Sequence, residues 1–410
     1  MNLVSISLQA IPIGVPLPFA LRDEDGSLLA NKGFVVSSRD VLEVVRGRGM
    51  DFFIDVSESE SHQRAFVGKL YDLVRDEKPL GKIADAKITS KDLGGGRANA
   101  AEDIPDWLDL QAQGHALLRE PSPAQFPDRL ARLQAQLGRQ ARRNPDGSLF
   151  ALMHLSATEI RLYSATHAML VSVVCGLAAH EVLGWPEQQE TTLCMAALTM
   201  NIGMTDLQDR MAAQMEAPSA AQRQLVAQHP DHSVELLSRL GVHDANWLGA
   251  VRHHHGRMPG PLASRSTALQ MARLIQRADM FAARLAPRSS RLPTTPAAAM
   301  QAAYFDEERQ IDEAGAALIK AVGIYSPGSF VRLATGELGV VVRRGSNTTT
   351  PRVAVLVNRE GMPTGEHTVR DTSVREYRIV ASVAHRDVKV QINLNRMLAL
   401  TATPGSGRPW

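Results

Sequence analysis

Five side chains in the middle of the chain have the chemistry to hold a metal ion. They are His167 in "YSATHAML", His229 in "AQHPDHS", His254 and His255 in "AVRHHHGRMPG", and Asp279 in "LIQRADMFAARL". Each falls within or at the end of a separate helical pattern. Imidazoles and carboxylates offered by different helices of a bundle commonly hold one or two divalent ions in its core. A pair of such ions lowers the pKa of a bound water and clamps both oxygens of a phosphoester displacement. Taken one at a time, each residue has a plainer role: a core histidine bonded to backbone, a helix start at His-Pro, a surface histidine run, a solvated Asp.

Their order and surroundings carry more than the single residues do. "YSATHA" is similar to a Tyr-x-x-x-His start, "LVAQHPDHSVELL" to a His-Pro segment, and "AVRHHHGR" to a His-His-Glu segment. "RLIQRADMFAARLAPR" is similar to an Ala-Asp-x-Phe-Asp-Ala helix. Together, over roughly residues 150–320, they resemble the HD-GYP family, bacterial HD-superfamily phosphohydrolases that cleave cyclic di-GMP with two or three iron or manganese ions. The resemblance implies an HD-type helical bundle in which His167, His229, His254, His255 and Asp279 are the metal positions, converging on one cavity.

The departures from the family pattern are as informative as the matches. "AALTMNIGM" stands where the family has His-Asp-Ile-Gly-Lys, which puts Met200 and Asn201 at the His-Asp pair and Met204 at the Lys. The family Asp bridges two metals; a neutral Asn supplies neither its charge nor its second oxygen. A thioether is a poor ligand for ferrous or manganous ions, and Met200 is expected to pack as core. Gly256 replaces the Glu after His-His, Ala282 replaces the second Asp of the last helix, and the Gly-Tyr-Pro loop is reduced to "GRMPG". Loss of a single electrostatic donor can cost about 100- to 1000-fold in turnover.

The resemblance therefore implies a degenerate member of the family. It reads as a bacterial signalling protein, catalytically inactive, acting by protein contacts or by binding cyclic di-GMP. The alternative is a metal-dependent cyclic di-GMP phosphodiesterase with a reduced site that holds one Fe or Mn ion on the retained ligands. No catalytic residue is assigned, and protein partners are not named by the sequence.

The elements that must position these residues follow from hydropathy patterning. Residues 1–80 read as a β-rich unit, with turn signals at Asp25-Gly26 and Lys32-Gly33, a helix opened by a Ser37/Asp40 capping box, and "MDFFIDV" as a strand. Residues 81–126, with "GGGRANAAED" and "PSPAQFP", have linker composition. Residues 127–322 are helical almost throughout, with helices expected near 156–183, 187–200, 219–240, 244–255 and 266–285. The β-rich unit and linker resemble extensions seen beside the family's domain.

Residues 323–385 should form a small β unit around a hairpin at Thr335-Gly336-Glu337, and 386–410 a tail. The expected class is mainly α, with a small β unit at each end.

Composition adds limits. At 410 residues two or three domains are expected. A net charge of +2 gives no reason to expect a nucleic acid polymer as partner. The longest uncharged apolar run, Ala168–Ala179, has 12 residues against roughly 20 for a bilayer span. No membrane span or secretory signal is read, and the expected location is cytoplasmic. Cys175 and Cys194 lie in apolar helical patterns and read as reduced packing residues.

Overall fold

The computed structural model describes residues 106–402 apart from 159, 161, 258, 259 and 286–293, together with short stretches within 1–55. The chain divides into two compact units, 1–103 and 104–410. In the first, β1 (Leu3–Ser5), β2 (Leu21–Arg22), β3 (Leu28–Ala30) and β4 (Phe53–Asp55) form an antiparallel sheet in the order β1-β4-β2-β3. Its core is built from Ile6, Ile11, Leu17, Phe19 and Ile54. The strands flanking Asp25-Gly26 and the strand "FID" are where the pattern put them. The turns themselves, most of the expected helix and residues 56–105 lie outside the described residues.

The second unit is a helical bundle that continues into a β-sheet. Its helices are α1 (Trp107–Arg119), α2 (Phe126–Arg143), α3 (Pro145–Thr158), α4 (Tyr163–Leu177, extended by a π turn Ala178–Val182) and α5 (Glu187–Thr199). Then follow α6 (Thr205–Ala213), α7 (Ala220–Arg239), α8 (Ala245–His253), α9 (Thr267–Leu285), α10 (Pro296–Tyr304) and α11 (Glu313–Val322). Every residue of α4 is buried, as expected of a helix apolar on all sides. The stretch Tyr163–Val182 is long and apolar enough to cross a membrane by composition, yet 83% of it is buried inside the bundle. Cys175 and Cys194 are free and buried.

Two expected boundaries are corrected. Residues 107–119, placed in the linker, are helix α1, capped by Asp106, whose carboxylate accepts from the N–H groups of Leu108 and Asp109 at 3.2 and 3.1 Å. Trp107, Leu110, Leu117 and Leu118 are buried, and the Gln111 amide donates to Thr166 on α4. The Gly- and Pro-rich segments on either side hid a four-residue apolar stripe. The tail likewise contains α12 (Leu394–Thr401), with Met397 and Leu398 buried and Thr401 Oγ1 accepting from Asn144 Nδ2 at 2.8 Å.

The C-terminal sheet is antiparallel, in the order β8-β7-β6-β5-β9, from β5 (Phe330–Leu333), β6 (Leu338–Arg343), β7 (Arg352–Val357), β8 (Val369–Asp371) and β9 (Ile379–Val383). The β5–β6 hairpin turns at Gly336, whose φ of +87° needs a residue without Cβ. Strand β6 is buried on both faces from Leu338 to Val342. Phe330, Val340, Val342 and Leu356 join the core of the bundle, while Val331, Leu333, Val341 and Val353 form a separate cluster on the other face. Arg344 ties the sheet to the helices through Asp146 and Glu181, each at 2.7 Å.

Because bundle and sheet share one core, residues 104–410 should unfold in a single calorimetric transition. Phe330→Ala should lower the stability of that whole transition by about 3–5 kcal/mol. A second transition that alone responds to Phe330→Ala would show the sheet to be an independent unit.

Candidate metal centre

The His-Pro dipeptide lies inside α7. Pro230 has no N–H, so the carbonyl of Val226, four residues back, lacks its helical donor. The ring of His229 takes that place: its Nδ1–H donates to Val226 O at 2.6 Å. His254 stands at the C-cap of α8, where carbonyls have no onward partner, and its Nδ1–H donates to Val251 O at 2.6 Å. Both rings are thereby fixed as the tautomer with a bare Nε2. Those two Nε2 atoms face each other at 3.2 Å.

His255 completes the cluster. Ligand atoms of His229, His254 and His255 all lie within 4.8 Å of one another. On the adjoining side, His167 Nε2 lies 2.7 Å from Asp279 Oδ1, and Tyr163 stacks on His167 with centroids 5.5 Å apart. Asp279 is close enough for its charge to act on His229 and His254, and for His254 and His255 to act on it. His229, His254 and His255, from α7 and from α8 with its following turn, thus cluster, and the His167–Asp279 pair from α4 and α9 lies within electrostatic reach of them.

Charge in the site follows from this packing. Burial first, then the charges of neighbouring imidazoles, pulls His229 down to about 4 and His254 to about 3. Burial alone would raise the Asp279 carboxyl, but the His167 hydrogen bond and the surrounding imidazoles hold it well below the usual carboxylate range. His229 and His254 are therefore neutral bases at neutral pH, with the ionised Asp279 carboxylate beside them. Two opposed lone pairs with no proton between them are the natural ligands of a cation, and His167 Nδ1 and Asn201 Oδ1 are further buried atoms without a hydrogen-bond partner. Three imidazoles and a carboxylate suit a divalent transition metal at metal–ligand distances of about 2.0–2.2 Å. The residues fit such an ion.

Met200, Asn201 and Met204 follow α5 in a tight turn. Met200 is fully buried in the core, as expected, and Asn201 is 9% exposed. The turn is pinned to α7 by Gly203, whose N–H donates to Ser233 Oγ at 3.0 Å. A Cβ on Gly203 would lie 2.7 Å from Ser233 N. Trp247 Nε1 on α8 donates to Thr199 Oγ1 at 2.9 Å, fixing the end of α5.

Sequence reading missed the network that holds α9. Arg273 and Arg277, one turn apart and each 1% exposed, lie among acids from the α10–α11 connection. Arg273 donates to Glu307 at 2.9 Å and Asp312 at 2.7 Å; Arg277 donates to Glu307 at 3.1 Å and to Phe305 O at 2.9 Å. Bonds from Arg273 hold the Glu307 carboxyl down to about 2. Gln276, between the arginines, donates to Gly256 O at 3.1 Å and so ties α9 to the turn after His255. The signal was available as an i, i+4 arginine pair on an otherwise apolar helix, followed by the acidic "FDEERQIDE".

Residues 166–315 match the HD domain family. Over those residues the chain is similar to HD domains. It is 27% identical over 225 residues to the cyclic di-GMP phosphodiesterase PA4108 of Pseudomonas aeruginosa, covering 52% of each chain. The chain thus spans about half the length of the curated relative it matches. It also has a distant likeness to the solved structure of Bd1817, an HDG"Y"P protein from Bdellovibrio bacteriovorus. That likeness has 14% identity and a TM-score of 0.40, over 77% of this chain and 98% of that one. The "GRMPG" replacement of the Gly-Tyr-Pro loop falls partly outside the described residues.

The depressed histidines give the metal-free protein a pH dependence of known sign. Unfolded, both rings bind protons below about 6.5; folded, they do not until about 4 and 3. Their stabilisation is complete above 6.5 and declines as pH falls toward 4, by up to about 1.4 kcal/mol per pH unit for each ring. Denaturation between pH 7 and 4.5 should show this slope, and His254→Gln should make it shallower by one proton. An unchanged slope in that variant would refute the assignment. Separately, Arg273→Ala leaves buried Asp312 short of a partner and should cost about 3–5 kcal/mol. A loss under about 1 kcal/mol would show that the network does not hold α9.

Proposed function

We propose that this protein is a signalling module in which the HD bundle retains a single-ion site but has lost hydrolysis of cyclic di-GMP. Its output on this reading is recognition, of a protein partner or of the cyclic dinucleotide itself. The observation that carries the reading is the split between the two halves of the site. His167, His229, His254, His255 and Asp279 converge with lone pairs and charge suited to a cation. The turn that would complete a second metal position instead offers Met200 to the core and a neutral Asn201.

The chemistry follows from the residues present. His229, His254, His255 and Asp279 would hold one iron or manganese ion, which when bound supplies Lewis acidity toward a phosphate oxygen. Asn201 brings one neutral carbonyl oxygen where a bridge between two ions needs an anionic carboxylate. Met204 brings no charge to meet a phosphate, so charge developing in a transition state is left unopposed there. A second reading, slow hydrolysis on one ion, is favoured by the histidine cluster; metal-dependent hydrolysis above background that is lost in His254→Gln would decide for it.

Protein purified from cells supplied with iron and manganese should carry about one tightly held equivalent and show negligible cyclic di-GMP hydrolysis. Turnover on the order of 1 per second or faster would overturn the proposal in favour of the enzyme. Metal content well below one equivalent would remove the single-ion site from both readings. The triple variant Met200→His, Asn201→Asp, Met204→Lys should raise the metal content above that of the parent. Calorimetry with cyclic di-GMP then distinguishes nucleotide recognition from protein contacts alone.

A further inference from the structure

A cavity of about 270 Å³ lies between α2, α4 and the start of α5. It is separate from the metal centre. Gly176, in its wall, is nine residues beyond His167 on α4. At about 100° per residue that is two and a half turns, which places cavity and histidine cluster on opposite faces of the helix. Leu137, Ala141, Val173 and Leu177 give it apolar sides. The thiol of Cys194 is pushed up to about 12, first by burial and then by the charge of Glu190, and so contributes a neutral surface.

One carboxylate is buried in this wall. Glu190 is 6% exposed, and among the described residues its oxygens pair with Arg142 Nη1 and His180 Nδ1, each at 3.3 Å. Charge-assisted pairs usually close to about 2.7–2.9 Å. The two partners are half in solvent, with side chains 44% and 56% exposed. Gly176 lets α4 approach this wall closely: a Cβ there would stand 3.0 Å from Cys194 Sγ. The result is an apolar pocket with a desolvated, loosely paired anion. Pockets of this make-up, mostly apolar with a few convergent polar groups, are the usual form of small-molecule sites.

We propose that this cavity binds a small organic cation of the amidinium or guanidinium type carried on an apolar body. Two parallel N–H donors of such a head group match the two oxygens of Glu190 and replace two long contacts with one bidentate pair. Arg142 and His180 then turn outward into water, to which their side chains are already partly exposed. The apolar body takes up the space between Leu137, Val173 and Leu177. An anion is disfavoured by Glu190, and a neutral apolar molecule leaves the carboxylate no better paired than before.

The test uses the full chain and benzamidinium chloride as probe, followed by thermal shift and calorimetry, with neutral benzamide as control. Benzamidinium should stabilise the protein saturably, and its affinity should fall at least tenfold in Glu190→Gln. Arg142→Ala removes the competing cation and should bind the probe more tightly than the parent does. It also provides an arm that survives if Glu190→Gln fails to fold, with folding checked by circular dichroism. Absence of saturable binding, equal affinity in Glu190→Gln, equal binding of benzamide, or no tightening in Arg142→Ala would each overturn the proposal.

Discussion

His229 and His254 each donate the Nδ1 proton to a carbonyl three residues back, and this turns two bare Nε2 lone pairs toward each other at 3.2 Å. Left as they are, the two lone pairs repel; a cation between or beside them converts repulsion into coordination. Much of the surrounding architecture serves to keep them there. Pro230 frees the carbonyl that orients His229, and the C-terminus of α8 supplies the one that orients His254. Gln276 fixes the turn that follows His255, and the buried Arg273–Arg277 pair fixes the helix that carries Gln276 and Asp279.

The turn after α5 is held in place by close packing against α7. Gly203 is held by contact with the backbone of α7, where a Cβ would overlap Ser233. That constraint is steric and does not depend on whether the preceding pair binds metal. Met200 and Asn201 could therefore arise while the turn stayed in register. A thioether fills core space without strain, whereas a histidine buried there without a metal would leave a polar ring to be satisfied. The substitution is thus compatible with stability even where it removes a ligand.

Much of this was legible in the sequence. The helices over 187–200, 219–240 and 266–285 stand within a residue or two of their hydropathy patterns, and three of the histidines picked out from segment order, His229, His254 and His255, stand together in the structure. Other features were not, for physical reasons. The apolar stripe of α1 is short and flanked by Gly- and Pro-rich stretches, and α12 has only two buried apolar side chains, Met397 and Leu398, so local composition outweighed periodicity. The arginine network depends on acids some 30 residues away in the chain, a pairing that only the packing of α10 and α11 brings about. The opposed Nε2 atoms could not be read at all, because the tautomer is set by backbone carbonyls that the sequence does not distinguish from any others.

X-ray absorption at the metal edge of the iron- or manganese-loaded protein tests the central claim most directly, since it reports both ligand type and the presence of a second ion. The account predicts a first shell dominated by imidazole nitrogen with one carboxylate oxygen, and no metal–metal scattering. A metal–metal vector at about 3.5–4 Å, or a shell without imidazole, would contradict it.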